Sequence, residues 1–121
     1  MALAAFCAPI LPGKLEQWRH FTQELQGSRY NEYKASRDRY GVHERAFLQT
    51  TPDGDIAIVT LEGNAPETFF QKWVTSQDSF TRWFIQQVKE IHGFDLSQGL
   101  PGTMPELAVD SENQKLQRRA A

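Results

Sequence analysis

The chain has 121 residues, of which 40% are hydrophobic and 12% aromatic, enough for one hydrophobic core but not two. Thirteen Lys and Arg residues against fifteen Asp and Glu residues give no basic surplus, so neither nucleic acid nor an anionic membrane is an expected partner. We expect one domain over residues 1–110 and a polar, solvated tail over residues 111–121.

The uncharged residues 1–12 predict a first strand rather than a signal peptide or a membrane span. No Lys or Arg precedes the apolar run, and the run is too short to cross a bilayer. From Leu3 to Ala8 both strand faces are small or apolar, so both are expected to be buried. The lone cysteine, Cys7, cannot form an internal disulfide, which fits a reducing cytoplasm, and in an apolar setting it is not expected to act as a nucleophile.

Residues 14–40 predict helical structure. An apolar stripe at spacings of three and four is formed by Leu15, Trp18, Thr22 and Leu25. Gly27 and Ser28 interrupt this pattern, and Ser28 could cap a second segment that Gly41 ends. One bent helix and two separate helices both fit the pattern.

A β-hairpin is predicted over 42–62, with the turn Thr51-Pro52-Asp53-Gly54 joining strands 42–50 and 55–62. On the second strand, Ile56 and Ile58 face one way, whereas Ala57, Val59 and Leu61 face the other. Helices on one side would leave the second apolar face in water. We therefore expect a second copy of the chain to cover it, giving a homodimer through the sheet, with the choice of face left open.

The remaining elements are a helical region and a last strand. Residues 64–93 predict helix with a break at 76–79, after which Ser79 would cap the second part. The aromatic stripe in this region is more typical of core than of a ligand or haem pocket. Residues 106–110 predict a short fourth strand, which could pair within its own subunit or with the partner.

The order β-α-β-β-α-β predicts an α+β fold, a ferredoxin-like sandwich with an antiparallel sheet. A family resemblance rests on four segments: Leu11-Pro12-Gly13-Lys14, Tyr40-Gly41-Val42, Phe47 to Asp55 and Phe80-Thr81-Arg82-Trp83-Phe84. In these segments the chain resembles the dimeric α+β barrel group of ferredoxin-like proteins, and the resemblance covers roughly residues 3 to 110. The matching residues are mostly turn and core residues, which support the fold better than an activity. The resemblance implies homodimers paired sheet to sheet. The group includes cofactor-independent monooxygenases, haem-dependent enzymes, isomerases of small organic acids and ligand sensors, and no catalytic motif of it matches here.

A polar stretch on the face of residues 14–40 that would meet the sheet suggests a ligand site. Each polar group left unpaired there would cost about 1 to 3 kcal/mol. The candidate ligand-binding residues are Arg29, Glu32, Tyr33, Arg37, Tyr40 and His43. Arg37 or Arg29 would grip a carboxylate and the tyrosines would orient it. The alternative is a surface pair between Arg29 and Glu32 with tyrosine hydroxyls in water, and the frequency of such side chains at sheet edges favours it.

His43 is a weak candidate for a general base, because a histidine near the start of a strand is more often a partly exposed hydrogen-bonding residue. Glu16, His20 and Glu24 lie opposite the apolar stripe and indicate a solvated face rather than a metal site. No zinc spacing, glycine-rich phosphate loop or nucleophile elbow occurs. We expect neither a metal nor a cofactor.

The sequence favours a small cytoplasmic homodimer that binds a small polar or anionic molecule between the first helical region and the sheet. One alternative is a cofactor-independent monooxygenase or an isomerase that uses His43 or a tyrosine for proton transfer. Another is an assembly module without a ligand. The residues do not decide whether the protein is an enzyme.

Overall fold

The computed structural model describes residues 2–113, which form a small α+β domain. The elements are β1 (Ala2–Pro9), α1 (Leu15–Gln26), α2 (Tyr30–Arg39), β2 (Val42–Thr51), β3 (Gly54–Gly63), α3 (Phe69–Trp73) and α4 (Ser79–His92). Single 3₁₀ turns lie at Pro66–Thr68 and Leu96–Gln98. The first helical region is therefore two helices, and the observed order is β-α-α-β-β-α-α.

Within residues 2–113 the sheet is antiparallel, with the order β1-β3-β2 and β3 at its centre. The register pairs Ala2 with Gly63 and Pro9 with Ile56, and on the other side Val42 with Gly63 and Thr51 with Gly54. The predicted hairpin is confirmed. At its turn the Thr51 hydroxyl donates to the Gly54 carbonyl at 2.7 Å, and Gly54 has a φ of 138°, which other residues rarely adopt.

The end of β3 lies very close to the residue that precedes β2. A Cβ atom at Gly63 would overlap the carbonyl oxygen of Gly41, so no side chain fits at position 63. Gly41 itself has a φ of 68°, in the left-handed region that favours glycine. These two glycines let α2 end and β2 begin directly against the central strand.

One face of the sheet is covered by the helices. Ala57 and Leu61 of β3 are buried on this face, as the alternation predicts, and they belong to the same core as the aromatic side chains of α3 and α4. Among the most deeply buried residues are Leu61, Phe69, Trp73 and Ile91. The aromatic stripe predicted over 64–93 is thus part of the core.

The other sheet face, which we call the open face, remains in contact with solvent. Cys7, Ile58 and Phe47 lie side by side across its three strands. Phe47 is 52% exposed and Leu3, near one end, is 50% exposed. Cys7 is exposed as well, so within a single chain only one face of β1 is covered.

The break in the second helical region is confirmed, but its cap is not the predicted one. Asp78, rather than Ser79, is the N-cap of α4, and its carboxylate accepts the Thr81 backbone N–H at 2.8 Å. Asp78 lies one residue before Ser79, at the position from which a side chain can accept hydrogen bonds from the N–H groups of the first helical turn. Gly93, with a φ of 83°, ends the helix as predicted.

The predicted fourth strand does not form within residues 2–113, because residues 106–110 carry neither strand nor helix. Leu107 is 42% exposed and Val109 is 81% exposed, so the segment buries too little apolar surface to offset the entropy of ordering an edge strand. Residues 114–121 of the predicted tail lie outside the described residues. No helix of the described part is long and apolar enough to span a membrane.

Candidate functional site

A cleft between α2 and the first residues of β2 brings together part of the predicted site. We call it the polar cleft. Its volume is about 530 Å³, within the range of small-molecule sites. It is lined by Gln26, Tyr30, Tyr33, Lys34, Arg37, Asp38, Val42, His43 and Glu44. The cleft lies at the edge of the sheet, because β2 pairs only with β3 within the described residues.

Arg37 is the deepest charged residue of the polar cleft, at 4% exposure. Its Nε donates to Oε1 of Glu44 at 2.8 Å, and its Nη1 donates to the Ser36 hydroxyl at 2.9 Å. Its Nη2 is buried and has no hydrogen-bond partner among residues 2–113. The Nη2 group therefore makes no hydrogen bond to a described residue, and a buried donor without a partner lowers the free energy of unfolding.

Aromatic rings surround the Arg37 guanidinium. Its Cζ lies 4.7 to 5.0 Å from the ring centroids of Tyr33, Phe69, Trp73 and Phe84. At these distances the cation is attracted to the ring faces, which helps to offset its desolvation. The Trp73 indole Nε1 in this cluster is also buried without a hydrogen-bond partner in the described part of the chain. Two unused donors thus belong to one aromatic cluster.

Glu44 joins Arg37 to Tyr33. Its second carboxylate oxygen accepts a hydrogen bond from the Tyr33 hydroxyl at 3.0 Å, and the Arg37 and Glu44 side chains are only 5% and 7% exposed. Burial, and then the negative charge of Glu44, raise the pKa of Tyr33 well above its ordinary value. Tyr33 therefore remains protonated at neutral pH and acts as a hydrogen-bond donor, not as a proton-transfer group.

The charges of the polar cleft largely cancel. Lys34 pairs with Asp38 at 2.9 Å at the exposed rim, and Arg37 pairs with Glu44 at the floor. His43 lies at the rim and is 60% exposed, with its Nδ1 4.0 Å from Oε1 of Glu62. The cleft consequently offers directed hydrogen bonds more than a strong net charge.

The structure places three of the predicted site residues elsewhere. Arg29 pairs with Glu24 at 3.4 Å and with Glu32 at 3.2 Å, and its Cζ lies 4.2 Å from the Trp83 ring centroid. This arrangement matches the surface-pair alternative for Arg29 and Glu32. Tyr40 packs edge to face on Phe69, with ring centroids 5.8 Å apart. Tyr33, Arg37 and His43 are the predicted site residues that line the polar cleft.

Sequence reasoning missed Glu44 as the partner of Arg37. The signal was present, because strand alternation places Glu44 on the same face as Val42 and Leu48, where a carboxylate needs a buried partner. Lys34 and Asp38 were missed because their i,i+4 spacing is that of an ordinary exposed helix pair. Arg37 lies on α2 and its partner Glu44 lies on β2. The spacing of residues along a helix does not show which residue of another element lies opposite.

The other polar clusters do not make a metal site within residues 2–113. No group of three His, Cys, Asp or Glu side chains there could hold a metal ion. His20 contacts Glu24 at 3.0 Å on the exposed side of α1, with 74% of its side chain exposed. This is the solvated face expected for these residues.

Comparison with known proteins does not extend the assignment. The chain matches no protein-family model, no curated protein and no solved structure. What the protein does must therefore be inferred from its own residues.

Proposed function

We propose that the protein is a small-molecule binding domain that takes a small polar or anionic compound into the polar cleft. The observation that carries this proposal is the Arg37 guanidinium, which is buried at the cleft floor with its Nη2 uncommitted to any described residue. A carboxylate or a similar acceptor group would satisfy this donor, with a charge-assisted hydrogen bond. Tyr33 and His43 would lie beside the bound group.

We confine the proposal to binding. Tyr33 is held protonated by burial, and His43 is mostly exposed beside Glu62, so neither is placed as a buried acid or base. The geometry therefore favours a binding domain over the monooxygenase and isomerase alternatives.

The test compares three proteins in a thermal-shift titration with small carboxylates and inorganic phosphate. At about ten times its Kd a ligand stabilises the folded state by roughly 1.4 kcal/mol, which raises Tm by about 5 °C in a domain of this size. We expect this shift in the wild type and in Arg39→Ala, an exposed arginine on the same helix outside the polar cleft. Arg37→Lys keeps a positive charge near Glu44 but lacks Nη2, and we expect it to lose the shift.

Equal shifts in all three proteins would remove Arg37 from the site. No shift in the wild type with any of these anions would contradict the proposal.

We also propose that the protein is a homodimer of ferredoxin-like subunits paired through the open face. The support is the exposed apolar row that contains Cys7, Ile58 and Phe47. The sheet order β1-β3-β2 leaves the outer edges of β1 and β2 unpaired within residues 2–113.

Sedimentation of Phe47→Glu tests this assembly, because a carboxylate in the middle of a buried sheet interface would be strongly unfavourable. The wild type should sediment as a dimer and Phe47→Glu as a folded monomer. Gln23→Glu adds a negative charge to an exposed position of α1, on the covered side of the sheet, and serves as the control. A wild-type monomer, or a dimer that Phe47→Glu leaves intact, would contradict the open-face interface.

A further inference from the structure

An apolar cavity lies directly behind the polar cleft. It has a volume of about 70 Å³ and lies between the covered face of the sheet and the helices α1 and α4. Ala57 and Val59 line it from the sheet, and Phe21 and Val88 line it from the helices. Ala46, an exposed residue of β2, also belongs to the lining, so the cavity extends to the sheet edge at which the polar cleft opens.

The two spaces share a wall. Tyr33 and Glu44 line both the apolar cavity and the polar cleft, and the hydrogen bond between them spans the boundary. Glu44 is fixed in this wall by Arg37, whereas the Tyr33 hydroxyl is held by Glu44. The Tyr33 ring also lies over the guanidinium, 5.0 Å from its Cζ. The Tyr33 and Glu44 side chains therefore form the boundary between the two spaces.

The far side of the apolar cavity carries no charge at neutral pH. His92 lines it, with Nδ1–H donating to the Pro9 carbonyl at 2.8 Å. Burial lowers the pKa of this imidazole, so it remains neutral. Such a cavity suits an uncharged hydrocarbon group, which gains free energy by leaving water.

We propose that the apolar cavity binds the hydrocarbon part of the ligand whose polar head binds in the polar cleft, and that the ligand is a carboxylic acid with a short apolar chain. This inference rests on the proposed function, because the head must first bind near Arg37. The size of the cavity limits the chain. A cavity of about 150 Å³ accommodates benzene, so a cavity of about half that volume holds about three carbon atoms.

The experiment measures Kd for unbranched carboxylic acids from acetate to octanoate by NMR titration of the intact protein. Burial of each methylene group should tighten binding about fourfold. We expect this gain for the first three or so carbons beyond the carboxyl group and a plateau after them. A detectable affinity that is the same for every chain length would overturn this inference and leave the proposed function standing. Failure of every acid to bind would overturn both.

Variants that fill the cavity distinguish it from the cleft. Ala57→Val adds two methyl groups from the sheet, and Ala46→Leu fills the exposed end in case the buried substitution unfolds the protein. Either variant should remove the dependence on chain length while the affinity for acetate remains within about twofold of the wild type. Ala35→Leu, on the exposed side of α2 and outside both spaces, is the matched control. An unchanged chain-length dependence in folded Ala57→Val and Ala46→Leu would overturn the inference.

Discussion

The helices α4 and α2 both belong to the layer that covers one face of the sheet, but different interactions hold them there. α4 places Phe80, Phe84, Val88 and Ile91 in the core, has an Asp78 cap and ends at a left-handed glycine. α2 buries a single residue fully, and that residue is Arg37. Its N-cap residue makes no side-chain capping bond to the described residues. One helix is held by apolar burial and the other by a buried ion pair within aromatic rings.

The difference explains where a binding site can exist. A helix with a continuous apolar stripe contributes mainly apolar walls, as Phe84 and Val88 of α4 do in the apolar cavity. A helix held by Arg37, Glu44 and Tyr33 keeps directed polar groups beside the core, and both cavities lie next to them. The polar attachment of α2 and the proposed site are the same set of side chains.

The largest expected effect on stability comes from breaking the buried pair on α2. Glu44→Leu leaves the Arg37 guanidinium buried without its carboxylate, which should lower the free energy of unfolding by about 3 to 5 kcal/mol. The measurement is urea denaturation followed by tryptophan fluorescence.

Its control is the double variant Arg37→Met with Glu44→Leu. Replacing both charges by apolar groups should recover most of the loss, since buried pairs contribute little net stability. A Glu44→Leu protein as stable as the wild type would show that α2 is not held by this pair.

The corresponding change on α4 is Ile91→Ala, at a fully buried position. Lost apolar transfer and the remaining cavity should lower the free energy of unfolding by about 3 kcal/mol, with Ile91→Val losing about 1 kcal/mol. Unlike the loss in Glu44→Leu, this loss cannot be recovered by replacing a charged partner, because Ile91 has none. Denaturation curves in which both variants lose the same amount would contradict an apolar attachment of this helix.

The smallest expected effect is at the α4 cap. Asp78→Ala removes the acceptor for the Thr81 N–H and should lower the free energy of unfolding by about 1 kcal/mol. Asp78→Asn keeps an acceptor and should lose less.

Burial alone would raise the pKa of Asp78, but hydrogen bonds from Ser76 and Thr81 outweigh it and lower that pKa. The contribution of the charge is therefore present above the ordinary value of 3.8 and should fall as pH drops below it. A pH-independent difference between Asp78→Asn and the wild type would contradict this.

Most of the secondary structure could be predicted because local patterns determine it. The hairpin follows from alternation and the Pro-Asp-Gly turn, and the apolar stripes give α1 and α4. The strand at 106–110 was wrongly predicted, because alternation in Leu107 and Val109 says nothing about a partner strand. Arg37 and Tyr33 were predicted from a polar stretch on a helix. Glu44 was not, because the pairing of a helix with a strand depends on tertiary packing.

The pairing of β1 has a consequence for the order of folding. β2 and β3 are joined by a tight turn, whereas β1 pairs with β3 across more than forty residues, from Pro9 with Ile56 to Ala2 with Gly63. Closing the short loop costs less entropy, so the hairpin should form early and act as the template on which β1 docks. On the ribosome β1 is synthesised before β3, so their pairing is complete only after residue 63 has emerged. Substitutions in β1 should therefore change the unfolding rate more than the folding rate.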